Sequence, residues 1–291
     1  MTTSPALLGE VVAWDLASCE VPFSRVREAL AAAGLSPDLA ADLAAKTAFR
    51  RALASFREDR AIDQLKDAPE GAIVFQFTRK HLEESRIEFA YETTVTLHVA
   101  RGEIDCPNEQ IADHAREMFD HALGHRTTSD ITRLVQSLFQ SHADLMPLVP
   151  RKGVAYFVPD RFRDFTAKVQ AFLHSMGGKL CRMPVPAGTP EGNRSVKDAV
   201  EDGLSALAAE LDESVEAWND KTRSSTFENA AERWRQIRHK AEAYSEYLAD
   251  RQTAILDRLE ETKRKIAERV VALSEAKDDP AERPLLAEAT A

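Results

Sequence analysis

The chain has 291 residues, with 38 Lys and Arg against 48 Asp and Glu for a net charge of −10, and 44% of it is hydrophobic. No run approaches the roughly 18 apolar residues of a spanning helix, and the apolar content is too high for a disordered polymer. The opening Met1-Thr2-Thr3-Ser4-Pro5-Ala6 lacks the basic-then-apolar order of a secretory signal, so the expected compartment is the cytoplasm and no membrane partner is expected. Cys19, Cys106 and Cys181 are odd in number, widely spaced and never in a CxxC, which argues against a disulfide framework or a thiolate zinc site. Alanine-rich, arginine-over-lysine usage is compatible with a GC-rich bacterial source.

Three periodicities divide the chain, with cuts near residues 69 and 190. Residues 1–69 read as an N-terminal helical region. From Val21 to Leu65, alanine and leucine recur at helical spacing, broken by Gly34-Leu35-Ser36-Pro37, where glycine stops one helix and proline opens the next. Lys46, Arg50, Arg51 and Arg57 would suit a helix-turn-helix facing phosphates, but Asp38, Asp42, Glu58 and Asp59 cancel much of that field.

Residues 70–190 read as an α+β domain. After Asp67-Ala68-Pro69-Glu70-Gly71 the period becomes two. Ile73, Phe75 and Phe77 share a strand face. Ile87, Phe89, Tyr91, Thr93, Val95, Leu97 and Val99 alternate with polar residues, which predicts an antiparallel sheet with one solvated side. Arg101-Gly102 reads as a tight turn. Two helices follow, from Asn108 to Leu123, stopped at Gly124, and from Ser129 to His142. A strand at Gly153 to Val158, a helix to about Met176 and a strand from Lys179 to Met183 form a β-α-β unit.

Residues 191–277 predict a long antiparallel, coiled-coil-like helical hairpin. Ser195 with Asp198, and Ser225 with Glu228, resemble capping pairs. Val196, Val200, Leu204, Leu207, Leu211, Val215 and Trp218 form one apolar seam. The second seam runs from Phe227 to Leu273, and at about 1.5 Å per residue it outreaches the first. Ile255, Leu259, Ile266, Val270 and Leu273 are thereby left as a candidate interface with a second copy or a partner protein, or as a seam that docks back on the α+β body. Residues 278–291 read as a flexible tail. The fold class is α+β, a mixed, mostly antiparallel sheet with packed helices followed by this hairpin.

His114, Glu117, His121 and His125 fall near one helical face, an arrangement that suits a divalent metal. Gly124 stops the helix before His125, and no HExxH order is present. Between 151 and 182, Arg151, Lys152, Arg161, Arg163, Lys168, Lys179 and Arg182 face only Asp160 and Asp164, with Tyr156, Phe157, Phe162 and Phe165 interleaved. Cations beside aromatics suit nucleic acid, and Arg126 and Arg133 would extend the patch. The Arg126 to Asp130 stretch suits either an anion at a helix N-terminus or a simple cap. Gly177-Gly178-Lys179 is no phosphate loop, and no GxSxG or other catalytic motif is present.

No cofactor is therefore expected, a divalent metal at the histidine face aside. The expected function is a non-enzymatic interaction or scaffold protein of a cytoplasmic assembly. A nucleic-acid-binding accessory protein is the alternative, and a metal-dependent hydrolase or nuclease the second alternative.

Overall fold

The computed structural model describes residues 6–83, 86–148, 155–219, 222–248 and 251–277. The chain opens with β1 (Leu7–Asp15), β2 (Glu20–Pro22), α1 (Phe23–Ala32) and α2 (Ala45–Ala54). Then come β3 (Arg60–Gln64), β4 (Ala72–Glu83), β5 (Arg86–His98), β6 (Glu103–Asp105), α3 (Glu109–Gly124), β7 (His125–Thr127) and α4 (Thr128–His142). The remainder is β8 (Met146–Pro147), β9 (Tyr156–Pro159), α5 (Arg163–Ser175), β10 (Lys179–Pro186), α6 (Pro190–Glu216), α7 (Ser224–Ala243), α8 (Ser245–Leu248) and α9 (Gln252–Lys277). The class is α+β, and the described residues form three sheets whose strand pairs are all antiparallel.

These elements group into two compact units that cut across the three stretches expected from periodicity. One holds residues 16–138 and 171–178, and the other 1–15, 139–170 and 179–291. The region before residue 69 is not purely helical, since β1 and β3 lie within it. Gly34 does take a left-handed φ of 72°, and Ser36 caps the turn that begins at Pro37 by accepting from the Asp38 N–H.

In the first unit, the sheet β3-β4-β5-β6 turns one face toward α2 and α3. Ile73, Phe75, Phe77, Val95 and Leu97 are buried there, as their alternation requires, with Phe49 edge-on to both Phe75 and Phe119. Asn108 caps α3 by accepting from the Ile111 N–H at 3.2 Å. The alternation of β5 does not hold throughout. Phe77 pairs with Thr93 and Thr78 with Tyr91, which leaves Glu92 as the extra residue of a bulge. A one-residue slip reverses every side chain on the strand's N-terminal side of it. Tyr91 and Phe89 therefore stand outward, 64% and 60% exposed.

In the second unit, β1 is flanked by β9 and β10, each antiparallel to it, so the β9-α5-β10 crossover straddles β1. Gly9 permits the close approach: a Cβ there would lie 2.3 Å from the Val158 carbonyl oxygen.

The C-terminal region has three main helices where the sequence predicts two. α6, α7 and α9 have 27, 20 and 26 residues, comparable lengths that cover one another. Ile255, Leu259 and Ile266 are 6%, 0% and 4% exposed within their common core, and Val270 and Leu273 pack against it. The apolar surplus thus closes on the chain itself, and Ile255, Leu259 and Ile266 are not left over as an interface. Arg233 to Glu210 ties α7 to α6, Arg238 to Glu260 ties α7 to α9, and the Thr262 hydroxyl donates to Asp212 at 2.8 Å to tie α9 to α6. Neither expected capping pair forms: α6 starts at Pro190, and α7 starts after Arg223 with no side-chain cap. Residues 278–291 lie outside the described residues.

Candidate functional site

A cluster of polar groups lies where α7 ends. Asp144, 6% exposed, follows α4, and its Oδ2 accepts from the Tyr244 hydroxyl at 2.5 Å and from Arg161 Nη2 at 2.8 Å. Lys240 Nζ reaches Oδ1 at 2.9 Å, and Arg161 Nη2 also donates to the Tyr244 oxygen at 2.7 Å. The Arg161 guanidinium lies over the rings of Phe162 and Tyr244, at 4.9 and 4.8 Å. An open cleft of about 770 Å³ beside the cluster is lined in part by His142, Asp144, Arg161, Phe162, His239 and Lys240.

Burial pushes the Asp144 carboxyl up, but the Tyr244 hydroxyl and the two cations outweigh it and hold it below its ordinary value. Burial, then the neighbouring carboxylate, pushes the Tyr244 phenol far up, so it keeps its proton. Three donors fill Asp144, which makes it an anchor and not a free base. The cleft instead presents N–H donors, two cations against one carboxylate, a surface suited to an anion.

The candidates from sequence are scattered. Arg163 pairs with Asp160 and Glu10, and Arg182 grips Glu10 with both Nε and Nη2, at 2.7 and 2.8 Å. Phe157 is core, and Tyr156 stacks on Trp14 at 5.2 Å. Lys168 and Lys179 are exposed. Arg151 and Lys152 lie outside the described residues. Arg126 is 6% exposed, which removes it from any surface patch, while Arg133 is exposed.

The histidine face does not converge. His121 stacks on His125 with ring centres 4.0 Å apart and reaches Glu20 at 3.5 Å. His114 sits elsewhere, 3.3 Å from the Ser55 hydroxyl and against Phe56, with Glu117 at 3.9 Å. Among the described residues, no three His, Cys, Asp or Glu side chains gather as a metal site. At the start of α4 the simple-cap alternative holds: Asp130 accepts from the Thr127 N–H and hydroxyl at 2.9 and 3.0 Å.

Sequence reasoning missed Asp144, Lys240 and Tyr244. A tyrosine in an apolar seam signals only burial, and the hydroxyl's need for a partner was the one available clue.

A family model described as a family of unknown function, DUF6744, matches residues 7–279. The chain belongs to this family. The DUF6744 match runs from the first residue of β1 to just past α9, so it spans every helix and strand described in both units. No curated protein and no solved structure gave a match. No helix among the described residues is long and apolar enough to cross a membrane.

Proposed function

We propose that this DUF6744 protein is a non-enzymatic interaction protein that associates with a second copy of itself through the β4–β5 ribbon. The supporting observation is the outward aromatic pair, Phe89 and Tyr91, on strands that outrun their neighbours. Strand β3 accompanies β4 only through Arg79, and β6 accompanies β5 only from Thr96 to His98. Among the described residues, no strand pairs with the outer edge of β5 before Thr96.

A two-stranded ribbon is marginal in water by itself, and an unpaired edge is a template for another strand. The same edge on a second copy is self-complementary about a two-fold axis. Antiparallel pairing of the two β5 edges would bring four aromatic rings together. The purified chain carrying a photoreactive phenylalanine analogue at position 89 is expected to give a covalent dimer on irradiation, and exclusively monomeric product would contradict this reading.

The cleft beside Asp144 favours a second reading, in which a nucleic acid or another polyanion engages Arg161 and Lys240. Binding of a fluorescent oligonucleotide that weakens steeply between low and moderate salt would support it. Salt-independent or absent binding would remove it.

A further inference from the structure

A second, smaller cleft lies wholly within the unit of residues 16–138. It has a volume of about 240 Å³, and its walls include Phe23, Val26, Leu39, Leu43, Ile131 and Leu134. Two arginines, Arg126 and Arg133, also line it. Arg126 is 6% exposed, and its guanidinium lies over the Phe23 ring, 3.9 Å from its centre. Its Nη1 donates to the Leu123 and His125 carbonyl oxygens at 3.0 and 2.8 Å, and Nη2 makes a long 3.4 Å contact to the Ala41 carbonyl oxygen.

No carboxylate among the described residues pairs with Arg126. Asp130 on the same wall is already engaged by Arg51, whose Nη1 and Nη2 reach its two oxygens at 2.7 and 2.5 Å, and by Thr127. Arginine does not shed its proton in a protein, so Arg126 carries a buried charge that backbone dipoles solvate and that Asp130 and Asp42 meet only through space, without an ion pair. The Nε–H has no acceptor among the described residues, and Nη2 has only the long one. That edge of a guanidinium matches the two oxygens of a carboxylate. Arg133 adds a second positive charge to the cleft.

An apolar cleft with an unmatched, geometrically specific cation selects a ligand with an anionic head and an apolar body. We propose that this cleft binds a small amphiphilic carboxylate, its head on Arg126 and its apolar body between α1 and α4. The volume is below the usual range for drug-sized ligands, which favours a short chain.

Calorimetric titration of the full chain with octanoate, 1-octanol and octyl phosphate tests the proposal. Octanoate is expected to bind once per chain, at least tenfold more tightly than either the neutral alcohol or the phosphate ester. Equal affinity for octanoate and octanol would overturn the assignment to Arg126, and tighter octyl phosphate would overturn the carboxylate. Arg126→Met is expected to weaken octanoate at least tenfold. Should that variant fail to fold, Leu134→Trp, which fills the cleft and leaves Arg126 in place, is expected to abolish binding. Undiminished octanoate binding in Leu134→Trp would overturn the site.

Discussion

The hydroxyl of Tyr244 lies 2.5 Å from Oδ2 of Asp144, across 100 residues of sequence. Tyr244 closes α7 with φ −107° and ψ 19°, outside helical geometry, where no glycine or proline is available to break the helix. The tertiary contact overrides helical propensity. Arg251, just before α9, pairs with Glu201 of α6.

Tyr244→Phe should therefore lower stability by about 1.5–3 kcal/mol, the range for a hydrogen bond to a charged group. Asp144 would retain Arg161 and Lys240. Urea denaturation followed by far-UV circular dichroism measures the loss, and an unchanged midpoint would show that packing alone sets the break.

Removing α9 should unfold the bundle. Ile255, Leu259 and Ile266 share one core with Leu204, Leu211, Trp234 and Ile237. Each fully buried aliphatic side chain contributes about 1.5–3 kcal/mol, so their joint loss rivals the whole stability of an ordinary domain. Truncation after residue 251 is expected to give aggregated protein, or protein without a cooperative transition. A soluble, cooperatively folding product would show that α9 is dispensable.

Asp130 predicts an acid dependence. Burial pushes its carboxyl up, yet the Arg51 guanidinium and the two Thr127 donors hold it at about 2, below its ordinary 3.8. A depressed folded-state value means that the contribution is complete above about pH 4 and is lost as pH falls through 2. The linked stability is about 2 kcal/mol. Asp130→Asn should flatten this part of the stability profile between pH 4 and 2, and parallel profiles for the two proteins would contradict the assignment.

Local signals were legible where a single residue type decides the backbone. Gly34 and Gly102 have positive φ, Asn108 caps α3, and Ile73, Phe75 and Phe77 share the buried face their spacing implies. What escaped depends on partners distant in sequence. The bulge at Glu92 is held by Arg60, whose Nε and Nη2 reach its carboxylate at 2.6 and 3.1 Å, and nothing in the alternation of β5 announces it. β1 runs through Leu7-Leu8-Gly9-Glu10-Val11-Val12 without strict alternation, and the consecutive residues Gly9 and Glu10 are both buried. The basic residues near 160–182 look like a patch in sequence because Glu10, which binds Arg163 and Arg182, lies far upstream.

The absolute mass of the purified chain, measured by light scattering alongside a Phe89→Ser, Tyr91→Ser variant, tests the proposed association most directly. Both substitutions sit on an exposed face, so stability should change by no more than about 0.5 kcal/mol each. The expected result is twice the mass of one 291-residue chain for the unmodified protein and a single chain mass for the variant. A monomer in both cases, or a dimer that survives the loss of both rings, would contradict association through the ribbon.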